Sequence, residues 1–449
     1  MIDAFLISII FIFIFAIFYL ITKDGYLKFN LYSGNVWPIL IYREFFMVFS
    51  ALLLVSIYGV DVFDQSIFYA KAEDLFRISI YSIYAIFSFS ITVGIFSKYI
   101  KFPVVNADSA HMVVERQIRH FANSAVFSAG ILLLISFVFL NYQHAFLSAI
   151  FTDERLLDIR LRNSYESLLP SQLGQIVNIA WWIIAIYTGF LIHKRKFSQG
   201  AFYGGVAVFF ASAPGDKAPL IICFMIVGLS FSSFRGINIA GKFLIKILCF
   251  YFPFLYILVY FVVSIQTPDM SFQNFNIYLL NRLGVGQMSG VFETFSMEKL
   301  DGQFYWQMLP GASIFADYIP YDKALMLATE DYGLTEMGVK NSLFISEAYG
   351  IGGILLVFLS PFIVGASYSI GLLLLSLFLK LFFNNSVSMV FTLPLYILSS
   401  ALTGGFSSFP LFKGLILEMV CLVIIWCFFK IPTTSFNNGF NSVKINLFK

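Results

Sequence analysis

Arg282, Gly286, Ser289 and Glu293 follow one another at helical spacing, which would set them on one face of an α-helix. A face with one cation, one carboxylate and two small residues is unlike an apolar packing stripe. It suits close approach of a polar ligand, with Gln287 beside it, or else an Arg–Glu clamp that closes the segment. Glu347 stands where a long apolar run begins. A carboxylate in a membrane costs ~2.5–3.5 kcal/mol at mid-depth and less near the interface, so it faces a wet cavity or a partner. Such a group could serve as a general base or pair structurally with Arg282 or Lys217. Lys217 lies in Ala213-Pro214-Gly215-Asp216-Lys217-Ala218-Pro219, between two short apolar runs. A helix amino terminus with a lysine attracts an anion such as phosphate; the alternative is a plain hairpin with Lys217 paired to Asp216. Arg160 and Arg162 are suited to bidentate contact with phosphate or carboxylate, or belong to a solvated helix with weak internal ion pairs.

Other residues frame these. Tyr305, Trp306, Tyr318, Tyr321 and Tyr332 stand among Gly, Pro and Asp, a composition that serves either sugar stacking or an interfacial aromatic belt. His144 is the one histidine expected on the outer side and reads as a surface residue more than as a base. The four cysteines, Cys223, Cys249, Cys421 and Cys427, fall in apolar runs with no metal-ligand spacing, so they read as packing residues. There is no GxSxG, HExxH or phosphate-binding loop in the sequence. Neither ATP use nor any cofactor is expected, and the driving force would reside in the substrate or an ion gradient.

The elements that must position these residues are helices in a membrane. The chain has 449 residues, 59% hydrophobic and 12% charged, about half the charge of a soluble domain. The net charge of +3 is too small to suggest nucleic-acid binding. Eleven apolar runs stand out, at 4–21, 39–60, 78–97, 121–140, 174–192, 201–213, 218–234, 243–265, 349–379, 387–403 and 412–429. Their length and uniform apolarity predict an all-α polytopic integral membrane protein with about eleven transmembrane helices, since barrel strands would alternate. If loops alternate from an external amino terminus, Lys23, Lys28, Lys98, Lys101, Lys194, Arg195 and Lys196 fall inside with only Asp24, Asp108 and Glu115 against the inside bases, and acidic residues prevail outside. This agrees with the positive-inside rule and puts the carboxyl terminus inside. Three regions follow: helices with an external loop 141–173 over 1–265, a large external loop of short helices over 266–342, and the last helices with an inner tail over 343–449. About eighty polar residues on one side suit a large hydrophilic substrate at the membrane surface.

In order of elements the chain resembles the O-antigen polymerases, which join oligosaccharide repeat units of bacterial envelopes. The pieces that carry the resemblance are Ser212-Ala213-Pro214-Gly215-Asp216-Lys217-Ala218, Arg282 with Gly286-Gln287 and Glu293-Thr294, and Asn341-Ser342 with Glu347-Ala348-Tyr349-Gly350. The resemblance implies glycosyl transfer from an undecaprenyl-diphosphate-linked glycan to a lipid-linked repeat unit. The site would face the periplasm at the bacterial inner membrane, with a chain-length regulator and a flippase as partners. It implies that Arg160, Arg162, Lys217, Arg282 and Gln287 contact the diphosphate or acidic sugars, and that Glu347, or secondly Glu293, is the base. The competing readings are an O-antigen ligase, a lipid-linked oligosaccharide flippase or other transporter, and a non-catalytic assembly protein. The ligases carry a histidine in the large loop, and 266–342 has none.

Overall fold

A computed structural model describes residues 4–22, 37–63, 67–99, 111–152, 158–159, 162–163, 171–215, 217–235, 253, 256–257, 260, 271–309, 311–312, 315–329, 340–382 and 405–427. Every regular element among the described residues is helical. Five helical stretches among them are long and apolar enough to cross a membrane: Ala4–Ile21, Leu75–Phe96, Ile118–Phe139, Gly174–His193 and Phe344–Leu375. At 1.5 Å per residue, about 20 residues span the ~30 Å hydrocarbon core.

Among the described residues the expected eleven spans are therefore not reached. The second run becomes the 22-residue helix Trp37–Tyr58, whose fully described part is the apolar stretch Phe45–Tyr58. The run at 201–213 becomes a helix of 16 residues, too short to cross unaided, and the run at 412–429 is helical over Lys413–Cys427, up to where the described residues end. The run at 218–234 becomes a 19-residue helix bounded by Lys217 and Arg235. The run at 387–403, and all but single residues of 243–265, lie outside the described residues.

The chain divides into two compact units. The first comprises Met1–Phe102, Ile237–Gly371 and Ser400–Gly414. In it helix α1 (Ala4–Thr22) packs on α2 (Trp37–Tyr58) and α3 (Leu75–Tyr99). The polar stretch supplies α9 (Phe272–Leu280), a π-helical turn Asn281–Val285, α10 (Gly286–Ser296), a 3-10 turn Phe304–Met308 and α11 (Tyr321–Thr329). The long helix α12 (Phe344–Phe382) follows. It bends at Gly353, whose φ of 64° and ψ of −157° lie outside helical space and suit glycine alone. Beyond the bend it approaches α3 so closely that a Cβ on Gly365 would lie 2.8 Å from the Thr92 side chain.

The second unit comprises Pro103–Gly236, Leu372–Ser399 and Leu415–Lys449. Its helix α6 (Ser171–His193) packs on α4 (His111–Phe139), α7 (Phe197–Ser212) and α8 (Lys217–Arg235). Being surrounded, α6 is buried along most of its length. Gly189 lets α8 approach, since a Cβ there would meet the Val227 carbonyl at 2.6 Å. Hydroxyls inside these apolar helices find acceptors nearby, Thr188 on the Ile184 carbonyl (2.9 Å) and Ser230 on that of Ile186 (2.7 Å). This removes the cost of an unpaired polar group.

Candidate functional site

Two carboxylates anchor the polar interior of the first unit. Helix α10 is buried from Met288 to Phe295, with Glu293 at zero exposure. The Glu293 carboxylate accepts from the backbone N–H groups of Phe68 and Tyr69, the latter at 3.0 Å. Lys340 Nζ lies 3.8 Å from Glu293 Oε1 and 4.6 Å from the centroid of the Phe68 ring. An ion pair this deep is tolerable because the anion also accepts hydrogen bonds and the cation sits over an aromatic face. The pair ties the segment after α2 to α10 and to the residues that enter α12.

Glu347 lies in the first turn of α12 and is buried. Its carboxylate accepts from the Ser407 N–H (2.6 Å) and the Ser407 hydroxyl (2.9 Å). Ser407 belongs to the 3-10 turn Phe406–Ser408, and Gly405 just before it closes against the same carboxylate. A Cβ on Gly405 would stand 2.3 Å from Glu347 Oε2. Only glycine lets the backbone approach this near. Lys413 and Asp322 are charged groups that bear on Glu347; Lys413 Nζ donates to the Gln307 carbonyl at 2.9 Å.

The polar stretch knits these anchors together. Tyr321 donates its N–H to Gln307 Oε1 (2.9 Å) and its hydroxyl to Thr294 Oγ1 (3.1 Å). Burial pushes the Tyr321 hydroxyl up to about 12, so it stays a neutral donor at physiological pH. Its ring lies against Gly350, where any Cβ would overlap it, and packs edge-to-face on Phe304 at 5.1 Å. Burial also raises the Asp322 carboxyl above its usual range, and the Asp322 carbonyl accepts from the Lys340 N–H at 3.2 Å. Gly290 brings α10 onto the same strand of chain, donating its N–H to the Asn341 carbonyl at 2.8 Å.

The π-helical turn changes the face expected for Arg282. The Gly286 N–H reaches back to the Asn281 carbonyl, a wider turn that offsets Arg282 from the α-helical register of Ser289 and Glu293. Those two are buried while Arg282 is exposed. Its guanidinium carbon lies 5.4 Å from the Tyr278 ring centroid, and its carbonyl accepts from Gln287 Nε2 at 3.2 Å. The turn is held against α2 at Gly284, where a Cβ would come 2.8 Å from Ser50 Oγ.

The other expected contacts belong to the second unit. Arg162 donates from Nη1 to Gln143 Oε1 at 3.5 Å, and Asn163 donates to the Gln143 carbonyl at 2.7 Å. Arg160 lies outside the described residues. Lys217 is the first residue of α8, after a turn in which Gly215 has φ +82°; its side chain is not among those described. His144 caps the short helix α5 (Ala145–Phe151): Nδ1 accepts from the Leu147 N–H and Nε2 pairs with the Phe209 carbonyl at 2.9 Å. It thus ties a loop to α7 instead of standing free on the surface, and burial lowers its pKa.

The structure brings Glu293, Glu347, Gln287 and Arg282 into one unit and adds Lys340, Ser407, Gly405, Asp322 and Lys413, which the sequence reading passed over. The Gly404-Gly405-Phe406-Ser407-Ser408 run was a visible turn signal, but nothing local linked it to a glutamate sixty residues earlier. No family model, curated protein or solved structure matches the chain.

Proposed function

We propose that this chain polymerises lipid-linked oligosaccharide repeat units into O-antigen or a related surface polysaccharide at the outer face of the bacterial inner membrane. The observation that supports this reading best is Glu347. It is a buried carboxylate, oriented by Ser407, at the head of a helix long enough to cross a membrane and inside a polar assembly built from the long hydrophilic stretch. A hydroxyl of the incoming lipid-linked unit attacks the anomeric carbon of the growing glycan on undecaprenyl diphosphate. The new C–O bond forms as the bond from the anomeric carbon to the phosphate oxygen breaks, and the lipid diphosphate leaves with the electron pair. Glu347 takes the hydroxyl proton, and the exposed Arg282 meets the negative charge of the diphosphate. The leaving group carries its own driving force, so positioning, charge and a base suffice.

The test is a gel of surface polysaccharide from a strain lacking the gene, with its lipopolysaccharide core intact. A core bearing a single repeat unit, with the ladder gone, is expected. Loss of every unit from the core with lipid-linked polymer accumulating would instead mean a ligase, and accumulation of unflipped single units a flippase. Complementation with Glu347→Gln should lower polymer formation by ~10²–10⁴-fold, the usual worth of a positioned base, and Arg282→Ala should leave lipid-linked single units accumulating. Normal polymer from either variant removes that residue from the mechanism.

A further inference from the structure

In the segment 303–320, we infer that the described residues 303–309 and 315–320 rest on the lipid surface, with Leu309, Phe315 and Ile319 entering the boundary between headgroups and acyl chains. This inference does not depend on the polymerase reading. Four large side chains in the segment face outward: Tyr305 is 46% exposed, Leu309 40%, Phe315 83% and Ile319 53%. Single exposed apolar residues are ordinary, but these all fall between two buried anchors. The residues at the two ends of the segment, Phe304 and Tyr321, are buried and pack with Ile351 of α12. Tyr321 lies on Gly350. Beyond the bend at Gly353 the outward side chains of α12 are Ile354 and Leu355, at 46% and 68% exposure, the start of its apolar surface. The two anchors of the segment thus lie about one turn from where a membrane-crossing helix begins to present apolar side chains outward, and that surface is lipid-facing in a chain that spans a bilayer.

The polar groups nearby fit headgroup depth. Lys299 Nζ lies 4.0 Å from the position a Cβ would take on Gly353, where an ammonium can meet lipid phosphate. Tyr305 and Trp306 stand side by side, ring centroids 5.4 Å apart, and both donate to Gln303 Oε1, the indole at 3.0 Å. Amphipathic rings of this kind collect at the membrane interface. Asp317, exposed between Phe315 and Ile319, sets a limit to depth: the contact is interfacial, on the order of 5–10 Å into the boundary, and does not reach the hydrocarbon centre.

Nitroxide labels at Phe315→Cys and Ile319→Cys test this, with the four native cysteines replaced by alanine and the full chain in liposomes of phosphatidylethanolamine and phosphatidylglycerol. The ratio of collisions with oxygen to collisions with a water-soluble nickel chelate reports depth, and Leu355→Cys marks the lipid-facing helix. Both sites should give ratios several-fold above that of free label in buffer and below that at Leu355. Ratios equal to free label overturn the inference. Suppression of both collision rates means cover by protein, such as a second copy, and overturns it too. A water-like ratio that changes only when lipid-linked glycan is added means a sugar site, with the same consequence. A photo-crosslinking residue at Phe315 in the otherwise native chain serves as the second measurement. A phospholipid adduct is expected; a protein adduct, a glycan adduct or none overturns the inference.

Discussion

Replacing Lys340 with alanine should loosen the first unit more than any change at its surface. Lys340 is 4% exposed at its side chain and Glu293 is 0%, with 3.8 Å between Nζ and Oε1. Truncating one member of a buried pair strands the other charge, which costs ~3–5 kcal/mol. The amides of Phe68 and Tyr69 still donate to Glu293 in the variant, so the low end, about 3 kcal/mol, applies. At ~2–4 °C per kcal/mol for a body of this size, the unfolding midpoint should fall by roughly 6–12 °C. The assay is loss of helical circular dichroism on heating of detergent-purified protein at neutral pH. The double variant Glu293→Gln with Lys340→Met removes both charges together and should recover most of the loss, because a neutral, well-packed replacement of a buried pair is often close to neutral in stability. A midpoint for Lys340→Ala within about 1 °C of native would refute the argument. So would a double variant no better than the single one, since it would mean that the lysine's packing, and not its charge, supports the fold.

Two further expectations concern the positioning of Glu347 and the loop of the second unit. Gly405→Ala would press a methyl group to within 2.3 Å of Glu347 Oε2 and should cost ~1–3 kcal/mol, as overpacking does. Ser407→Ala removes the 2.9 Å hydroxyl bond while keeping the backbone one and should cost ~1–3 kcal/mol; thermal midpoints of both variants check this, and unchanged values would mean that the turn does not hold the carboxylate. His144 caps α5 and has its pKa lowered by burial. The unfolded chain then binds the proton more readily, so the contribution of His144 to stability is present above its ordinary value of 6.5 and declines as pH falls below it. His144→Ala should cost ~1 kcal/mol at pH 8 through the lost cap and should flatten the dependence of the midpoint on acidification; an unaltered pH slope would assign that dependence to other groups.

Apolar runs were legible as helices because hydropathy is a local property. The runs at 4–21, 78–97, 121–140 and 174–192 reappear within a few residues as Ala4–Ile21, Leu75–Phe96, Ile118–Phe139 and Gly174–His193. Glu347 stood out because a carboxylate at the mouth of such a run must find a partner, and Glu293 because helical spacing set it beside Ser289 in a polar stretch. The partners themselves were not legible. Ser407 meets Glu347 across sixty residues and Lys340 meets Glu293 across forty-seven, and a periodicity that follows the chain carries no record of contacts made when distant segments pack. The register of Arg282 escaped for a related reason. One π-helical turn, seated against α2 through Gly284, offsets a face that ideal helical spacing would keep, and that choice is made by the neighbouring helix rather than by residues 281–285. Among the described residues fewer crossings are found than apolar runs, because apolar composition marks what avoids water without saying whether lipid or protein covers it. Packing decides that, and in the short helix α7 length sets a further limit.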